Sequence, residues 1–272
     1  MNKIILVTGA SSGIGFDSAK ALARRGHKVY AGARRVEKMD ELRQFGVTPL
    51  SLDVTDEDSM TAAVQEILKT EGRIDVLVNN AGYGLFGAVE TTPPEEARRQ
   101  LDVNVFGLAR MCQLVLPGMR ERGSWRIVNI SSVAGRTVFP FGAWYCVSKD
   151  SVEALSDAMR MEMRPFGIQV SMIEPGPIRT PWGGIAAGHL EESTAHTPYE
   201  QKALKEAALF RRAYSSWILP PPSVVTRRIL RAALSRHPRA RYHAGFGSGI
   251  MIFFHDLLPS RWWDALTGVV SR

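Results

Sequence analysis

The chain has 272 residues, of which 45% are hydrophobic and 22% are charged. This composition is that of a folded globular protein and excludes an intrinsically disordered chain. The formal net charge of +7 is compatible with an anionic cofactor, a nucleic acid or an anionic lipid surface.

The cysteines and histidines help to exclude further classes of protein. Cys112 and Cys146 are too few for a disulfide framework and form no CxxC pair, so we expect two reduced thiols. The histidines show no HExxH-like spacing, and no metal site is expected. The apolar run KIILVT near the start lacks the length and the cleavage site of a secretory signal, so we expect a cytoplasmic protein.

Much of the excess positive charge lies between residues 227 and 241. Aromatic residues do not interleave with these arginines, and no nucleic-acid-binding motif accompanies them. We therefore expect a solvated basic helix face and no nucleic-acid partner. The arginines concerned are Arg227, Arg228, Arg231, Arg236, Arg239 and Arg241.

Short apolar runs alternate with longer segments of helical periodicity along residues 3–175. The predicted strands are 3–8, 27–33, 47–53, 74–79, 125–131 and 168–175, and the predicted helices are 13–25, 35–45, 56–71, 94–119 and 143–165. This alternation indicates βαβ units. The strands are apolar almost throughout, which is typical of a parallel sheet covered by helices on both faces. Right-handed crossovers then favour a doubly wound topology.

The alternation stops at residues 182–220, which contain WGGIAAG and WILPPP around a helix-like segment. We predict an insertion over the end of the sheet, followed by a helix at 222–235 and a seventh strand at 239–244. The whole is one α/β domain of the Rossmann type over residues 1–245.

An apolar tail follows at residues 246–272. Its uninterrupted apolar run is shorter than the roughly 18 residues that span a bilayer. Three locations stay open for it: over the pocket, in an oligomer interface, or on a membrane surface through weak contact.

The first strand leads into TGASSGIG, residues 8–15. Its glycines allow the backbone to approach a pyrophosphate, which the helix N-terminus would face. The spacing differs from GxGxxG, but the preceding strand and the following helix favour this interpretation. The same stretch matches the GxSxG nucleophile elbow, with Ser11 as the nucleophile. A serine hydrolase is therefore an alternative. It is a remote one, because a nucleophile elbow after the first strand has no upstream loop that could supply the second oxyanion donor.

The second strand ends at AGARRVEK. An acidic residue is usual at this point when the cofactor carries a free ribose 2′-hydroxyl group. Arg34 and Arg35 stand there instead, and the planar guanidinium group suits a phosphate. This pattern predicts NADP(H) rather than NAD(H). The alternative is that both arginines belong to the basic N-terminus of the second helix.

Several further motifs occur together over residues 3–180, and with them the chain resembles the short-chain dehydrogenase/reductase family. The motifs are TGASSGIG at 8–15, NNAG at 79–82, Asn104 in LDVNVFG, Ser132 in NISSVAG, Tyr145 and Lys149 in YCVSK, and PGPIRT at 175–180. The run VYAGARR and the long C-terminal part are similar to the branch that contains hydroxysteroid dehydrogenases and lipid-ketone reductases.

The resemblance implies a role for each matching residue. Tyr145 is expected to be the general acid/base, and Ser132, with Ser131 as a substitute, to bind the substrate carbonyl. Lys149 is expected to hold the nicotinamide ribose and to lower the pKa of Tyr145, and Asn104 to hold a water molecule on the proton path. The implied cofactor contacts are Gly9, Ser11, Ser12, Gly13, Ile14, Gly15, Arg34, Arg35, Asp53, Val54, Asn79, Ala81, Gly82, Tyr145, Lys149, Pro175, Gly176, Ile178 and Thr180. Alternatives stay open for Asp53 as a helix-start residue and for Thr180 as an N-cap.

Simple electrostatics allows this role for Tyr145. Bringing a phenol pKa from about 10 to about 7 requires about 4 kcal/mol. A unit charge about 4 Å away supplies this at an effective dielectric constant near 20. Burial alone would raise the pKa instead. We therefore expect the Lys149 ammonium group to lie close to the Tyr145 hydroxyl group.

The predicted activity is hydride transfer between NADP(H) and a small hydrophobic ketone or aldehyde and the matching alcohol. Aromatic residues in 83–87 and 137–142, with Trp182 and Trp217, are expected to line the pocket, although ordinary core packing is an open alternative. A noncatalytic NADP-binding sensor or scaffold is the other class considered. The resemblance also implies a homodimer or homotetramer formed through the helices at 94–119 and 143–165.

Overall fold

The computed structural model describes residues 2–123, 125–245 and 247–270, and it contains a seven-stranded parallel sheet. The strands are β1 Ile4–Thr8, β2 Lys28–Ala33, β3 Val47–Ser51, β4 Val76–Asn79, β5 Arg126–Ile130, β6 Gln169–Pro175 and β7 Arg241–Ala244. Their order is β3-β2-β1-β4-β5-β6-β7, so β3 and β7 are the two edges. The predicted single α/β domain with a doubly wound sheet is confirmed.

Ten α-helices accompany the sheet in the described residues. They are α1 Gly13–Ala23, α2 Glu57–Glu71, α3 Pro94–Leu101, α4 Gly107–Arg122, α5 Ala143–Met163, α6 Trp182–Thr194, α7 Glu200–Ser215, α8 Ser223–Leu234, α9 Ser248–Leu257 and α10 Ser260–Val270. Helices cover both faces of the sheet, as the continuously apolar strands predicted.

The central strand β1 shows how the two faces are filled. Ile5 and Val7 enter one apolar cluster with α1 and α8, whereas Ile4 and Leu6 enter a second cluster with α2, α4 and α5. All four side chains are buried. Because successive strand residues point to opposite faces, every residue of β1 must be apolar or internally hydrogen-bonded. Truncating a core residue such as Leu6 to alanine would cost about 2–5 kcal/mol.

Two predicted helices differ from the structure. The segment predicted as one helix at 94–119 consists of α3, a π-helical turn at Asp102–Phe106 and α4. A Cβ atom on Gly107 would lie 2.4 Å from the Val54 carbonyl oxygen, so the start of α4 packs directly on backbone. The segment predicted as a helix at 35–45 is a 3₁₀ helix, Val36–Phe45.

The segment 182–220 forms the helical pair α6 and α7, which pack against each other. Alanines of both helices join Phe86 and Tyr145 in a third apolar cluster. Two hydrogen bonds tie the pair to the loop after β4: Ser193 donates to the Phe86 carbonyl oxygen at 3.1 Å, and Tyr199 donates to Glu90 at 2.6 Å. The pair therefore covers the region around Tyr145.

The tail beyond Gly245 contains α9 and α10, while Phe246, Ser271 and Arg272 lie outside the described residues. Trp263 donates to the Val138 carbonyl oxygen at 3.1 Å, and Asp256 pairs with Arg136 at 2.9 Å. Part of the tail thus packs on the domain. Its other face leaves large apolar side chains exposed, namely Ile250, Phe253, Phe254, Leu257, Trp262 and Leu266.

The helices of the described ranges include none with both the length and the apolar character of a membrane span. Both cysteines are free and buried, as expected, and Cys146 faces the core.

The expected basic helix face holds only in part, because α8 ends at Leu234 and carries just Arg227, Arg228 and Arg231, of which Arg228 is half-buried. Arg227, Arg231, Arg236 and Arg239 are exposed, but Arg241 is half-buried and pairs with Glu153, Asp157 and Glu174. Residue 241 lies in β7, not on a helix, and its side chain turns towards α5. Its charge is neutralised inside the protein.

Candidate active site

The candidate site lies at the carboxyl ends of the central strands. The strand order reverses between β1, which continues to β2, and β4, which continues to β5. In open α/β sheets this reversal leaves a crevice that binds ligands. The motifs singled out in the sequence follow β1, β2, β4, β5 and β6 and so meet at this crevice.

The turn between β1 and α1 depends on two glycines with positive φ, Gly9 at 66° and Gly13 at 57°. A Cβ atom on Gly9 would lie 2.6 Å from Ala81 Cα, and one on Gly13 would lie 3.4 Å from Thr180 Cγ2. The turn therefore needs glycine at both positions for its conformation, and at Gly9 also for its close approach to the loop after β4.

Hydrogen bonds from Thr8 and Asn80 fix this turn against β4. The Thr8 Oγ1 atom accepts from the backbone N–H groups of Asn80 and Ala81, each at 3.0 Å. The Asn80 amide donates to the carbonyl oxygens of Thr8 at 3.0 Å and Gly9 at 3.1 Å. Both residues lie within the motifs TGASSGIG and NNAG, but neither has a predicted role. Their position at the ends of two adjacent strands is the sequence feature that could have indicated this role.

The N-terminus of α1 suits an anionic group. Its first turn contains no acidic residue, and its N-cap Ser12 makes no side-chain hydrogen bond to the helix. The first backbone N–H groups of a helix lack intrahelical partners and carry partial positive charge. Ser12 is exposed, and Ser11, Ile14 and Gly13 are half-buried beside it. Together with the glycine turn, this arrangement fits a dinucleotide pyrophosphate; Gly15 is buried below it.

Arg34 and Arg35 follow β2 and are both exposed, and neither forms an ion pair with any residue in the described ranges. The 3₁₀ helix begins after Arg35, which is its N-cap without a side-chain bond. Their guanidinium groups are therefore available to a phosphate at the end of β2. This position fits a cofactor that carries a 2′-phosphate group.

Asp53 and Val54 lie at the end of β3, in the loop that leads to α2. Asp53 accepts from the backbone N–H of Thr55 at 3.0 Å, and Val54 is buried. The cap of α2 is Asp56, whose carboxylate accepts from the backbone N–H groups of Asp58 and Ser59. The alternative that Asp53 starts this helix is therefore wrong.

In the motif NNAG, one part points into the core and the other part faces the crevice. Asn79 is 3% exposed, and its amide donates to Asn129 at 3.0 Å and to Cys112 at 3.2 Å. Its side chain thus points into the core, so any cofactor contact there must come from its backbone. Gly82 is exposed, and a Cβ atom on it would lie 3.0 Å from Asn104 Oδ1. The crevice side of the motif is Ala81 and Gly82.

Tyr145 and Ser132 come together from α5 and the loop after β5. Both are buried, Tyr145 at 8% exposure and Ser132 at 7%. The Ser132 hydroxyl donates to the Pro175 carbonyl oxygen at 3.4 Å and accepts from Ala134 N–H at 3.1 Å. Ser131, the predicted substitute, faces another way: a Cβ atom on Gly135 would touch Ser131 Oγ at 2.8 Å, on the side of Glu153.

Lys149 and Asn104 complete the predicted set. The Lys149 ammonium group donates to the Ile130 carbonyl oxygen at 2.8 Å. The Asn104 amide donates to Ser148 Oγ at 3.0 Å, and Ser148 donates to the Tyr145 carbonyl oxygen at 2.8 Å. Ser148 lies within YCVSK but has no predicted role. In the structure it connects the π-helical turn to the first turn of α5.

The Lys149 ammonium group lies near the Tyr145 ring and is held by a backbone carbonyl oxygen. The Lys149 nitrogen lies 6.0 Å from the centre of the Tyr145 ring, and its hydrogen bond goes to Ile130. Burial raises the pKa of Tyr145 to about 12, and the hydrogen bond with Ser132 offsets part of this rise. Burial lowers the pKa of Lys149 to about 8. In the protein by itself, desolvation is the dominant effect on both groups, and the expected lowering of the Tyr145 pKa towards 7 stays a prediction for the complex with the oxidised cofactor.

The loop after β6 closes the crevice. Gly176 donates its N–H to the Ala244 carbonyl oxygen at 2.9 Å, and Ile178 is buried in the core. Thr180 is half-buried and donates to the Ile178 carbonyl oxygen at 3.4 Å. The N-cap of α6 is Pro181, so the alternative that Thr180 caps this helix is wrong.

Aromatic rings surround Tyr145. Trp182 lies 5.3 Å and Phe86 5.8 Å from its ring, measured between centroids. Phe139 stacks on Phe86 at 5.9 Å. Trp182, Phe86 and Phe139 therefore lie beside Tyr145 in the third apolar cluster, which fits both the predicted pocket lining and ordinary core packing. Trp217 is 83% exposed and lies outside the cluster. Nonpolar surface faces the phenol on the side of α6.

Comparison with known proteins agrees with this geometry. A family model described as short chain dehydrogenase matches residues 3–186. A probable short-chain type dehydrogenase/reductase of Helicobacter pylori is 35% identical over 97% of this chain and 96% of its own length. A 3-ketodihydrosphingosine reductase of Bacteroides thetaiotaomicron is 42% identical over 65% of each chain. Human 17-beta-hydroxysteroid dehydrogenase type 1 is 37% identical over 88% of this chain and 76% of its own.

Solved structures give the same result. A short-chain dehydrogenase from Streptomyces avermitilis superposes with a TM-score of 0.80 at 32% identity, over 100% of this chain and 98% of its own. A metagenomic short-chain oxidoreductase in complex with NADP gives a TM-score of 0.62 at 33% identity, over 71% of this chain and 90% of its own.

Proposed function

We propose, since the chain belongs to the short-chain dehydrogenase/reductase family, that it interconverts a hydrophobic ketone or aldehyde and its alcohol with NADP(H). As a member of this family it is an NAD(P)-dependent oxidoreductase of alcohol and carbonyl groups. The observation that carries the proposal is the convergence of Ser132, Tyr145 and Lys149 beside a glycine turn that fits a dinucleotide.

Tyr145 is proposed as the group that moves the proton. In the reductive direction its phenol donates to the oxygen of the forming alkoxide, while the Ser132 hydroxyl group donates a hydrogen bond to that oxygen. When bound in the crevice, the nicotinamide dinucleotide supplies or accepts the hydride. Lys149 favours the phenolate form of Tyr145 through its charge, and the link from Asn104 through Ser148 fixes the turn of α5 that carries Tyr145.

The proposed cofactor contacts are those predicted from the sequence. The glycine turn, Ser11, Ser12 and Ile14 would hold the pyrophosphate, and Arg34 and Arg35 the 2′-phosphate. Asp53 and Val54 would lie beside the adenine, and Ala81, Gly82 and the backbone of Asn79 beside its ribose. Pro175, Gly176, Ile178 and Thr180 would meet the nicotinamide. The two exposed, unpaired guanidinium groups support NADP(H) over NAD(H), and the relative solved with NADP is compatible with this choice.

A hydrophobic substrate is favoured by the surroundings of Tyr145. Rings of Phe86, Phe139 and Trp182 and the alanines of α6 and α7 offer almost no polar group. Burial of apolar substrate surface there would contribute about 25 cal/mol per Å². Two relatives are named for a steroid and a sphingoid ketone, which are large apolar molecules. We propose a substrate of this class, reached beneath α6 and α7.

A homodimer or homotetramer is also proposed. Phe106, Val147 and Met161 lie on the outer faces of the π-helical turn and α5, and they are 63%, 46% and 63% exposed. These faces match the two predicted interface helices. Light scattering of the wild type and of Met161→Glu tests this, because a charge in the interface must lower the mass of the assembly. We also propose a weak contact of the tail with a membrane surface and a cytoplasmic location.

The two other function classes have less support. Ser11 makes no hydrogen bond to a histidine or an acid in the described part of the chain, so it lacks the base that a serine nucleophile needs. A noncatalytic NADP-binding sensor has no use for a buried phenol next to a serine hydroxyl.

The testing experiment is a screen of NADPH consumption, followed at its absorbance band, over hydrophobic ketones that include steroids and long-chain 3-keto compounds. Small charged sugars serve as the contrasting set. We expect turnover of one or more apolar ketones and none of the sugars. Turnover that is confined to sugars would contradict the proposed substrate class. Ester hydrolysis without nucleotide would favour the Ser11 alternative instead.

A further inference from the structure

A row of ionisable side chains extends beyond the candidate site along α5. Tyr145, Lys149, Glu153 and Asp157 follow one another at intervals of four residues, and such residues share one face of a helix. Tyr145, Lys149 and Glu153 are all buried, at 8%, 7% and 4% exposure. The proposed function uses the first two groups and leaves the buried carboxyl group of Glu153 without a role.

Lys149 has no ion pair with any residue of the described ranges. Its one hydrogen-bond acceptor there is the neutral carbonyl oxygen of Ile130, at 2.8 Å. A buried ammonium group without a nearby negative charge loses its proton readily. Glu153 is the next ionisable side chain on its face of the helix, with Cβ atoms about 5–6 Å apart at this spacing.

The loop after β5 brings the two residues into one compact region. A Cβ atom on Gly135 would lie 2.8 Å from the Lys149 carbonyl oxygen and 2.9 Å from Glu153 Cγ. Any side chain larger than glycine at position 135 would therefore displace the Lys149 backbone, Ser131 or Glu153. The packing keeps a carboxyl group where its charge acts on the ammonium group through protein and not through water.

Groups from β6, β7 and the neighbouring loop set the charge of Glu153. Arg241 Nε lies 3.3 Å from Glu153 and 3.2 Å from Glu174, and His243 Nδ1 lies 2.6 Å from Glu174. The other charged groups that face this cluster are Asp157 and Arg160 on α5 and Arg136, which is paired with Asp256 of α9. Glu153 thus shares the one guanidinium group of Arg241 with Asp157 and Glu174, so its negative charge is only partly compensated and also acts on Lys149.

We propose that Glu153 is a positioning residue that keeps Lys149 protonated by placing a buried negative charge one helical turn away. The proposal deepens, and rests on, the proposed function of the Tyr145 and Lys149 pair. Burial raises the pKa of Glu153 to about 7. Burial lowers the pKa of Lys149 to about 8, and the charge of Glu153 opposes that lowering. The charge of Glu153 therefore extends the pH range in which the Lys149 ammonium group exists.

The test measures the protonation of Lys149 directly, in the full chain without substrate. NMR of the chain labelled with ¹³C,¹⁵N-lysine follows the Lys149 side chain against pH, and its resonance is assigned by its disappearance in Lys149→Arg. We expect Glu153→Gln to lower the midpoint by about one pH unit, a tenfold change in the ionisation constant. Asp157→Asn is the matched control, because it also removes a carboxylate from Arg241 but lies about 12 Å along the helix from Lys149. Because Asp157 is partly exposed, its charge acts mainly through water, and at a dielectric constant near 80 its removal should shift the midpoint by no more than about 0.3 units.

Equal shifts in both variants, or no shift in Glu153→Gln, would overturn the proposal, since a purely structural cluster predicts one or the other. If Glu153→Gln does not fold, the wild type decides: the Lys149 resonance must show a second inflection near pH 7 from Glu153, and a single inflection contradicts the proposal. Where a ketone substrate is found, the alkaline limb of its reduction should move with the NMR midpoint. A midpoint that moves in a chain without reductase activity would count against the proposed function alone.

Discussion

Replacing Lys149 by methionine removes the ammonium group and keeps most of the volume of the side chain. The charge lies 6.0 Å from the centre of the Tyr145 ring. At an effective dielectric constant near 20, a unit charge at this distance stabilises a phenolate by about 3 kcal/mol. This equals about 2 pKa units. Without Lys149, the pKa of Tyr145 rises further above its already raised value.

The sign of the effect follows from the state that reacts. In alcohol oxidation Tyr145 must accept a proton, so the rate on the acid limb is proportional to the phenolate fraction and rises tenfold per pH unit. Lys149→Met should therefore lower kcat about 100-fold at a fixed pH on this limb. The limb itself should move about 2 units towards higher pH, so that raising the pH restores much of the rate.

The assay is NADPH formation from a secondary alcohol under saturating NADP⁺, measured at intervals across the accessible pH range. Binding of NADPH, followed by its fluorescence, separates loss of cofactor affinity from loss of proton transfer. Thermal unfolding checks that the variant is folded. A loss of kcat that is the same at every pH would refute the electrostatic reasoning. Lys149 would then act only by holding the cofactor or the fold.

Three further predictions address other parts of the site. Tyr145→Phe should abolish turnover, because the proton donor is gone, with NADPH affinity unchanged within about twofold by fluorescence titration; a substantial residual rate would reject Tyr145 as the proton donor. Arg34→Glu should weaken NADPH binding about 10- to 100-fold through loss of a charge-assisted contact, and NADH binding little; equal losses for both would contradict the 2′-phosphate assignment, and exposed Arg212→Glu is a control of equal charge change. Gly9→Val should abolish cofactor binding and lower the melting temperature, because its Cβ atom would lie 2.6 Å from Ala81 Cα, and a variant with the wild-type dissociation constant would show that the turn does not bind the cofactor.

The sheet was predictable because its signal is local. Strands such as β1 and β4 are uninterrupted apolar runs, and each is separated from the next by a segment of helix length, so number, type and order of the strands follow from the sequence. Exact helix form was not predictable. Gly107, which follows the π-helical turn, packs on the Val54 carbonyl oxygen, far away in the chain, and no pattern within 94–119 indicates the turn.

The candidate site also has features that were predictable from the sequence and features that were not. Positions of Tyr145, Ser132 and Lys149 followed from motif spacing, because strand ends bring those motifs together. Their electrostatics did not follow, since the pKa of a phenol depends on how much water the covering helices exclude. The assumed separation of about 4 Å between charge and hydroxyl group ignored the Ile130 carbonyl oxygen that holds the ammonium group. Glu153 was overlooked because YCVSK ends four residues before it, although its spacing continues the row.

The two edge strands restrict how copies of this chain can associate. β3 carries Pro49 at its centre, and a proline in an edge strand turns its nitrogen to the open side, where it offers no donor. β7 has four residues and directs the charge of Arg241 inwards, a device that discourages strand addition. Neither border of the sheet is a good template for another strand. Extension of the sheet from one copy of the chain to the next is therefore disfavoured at both borders.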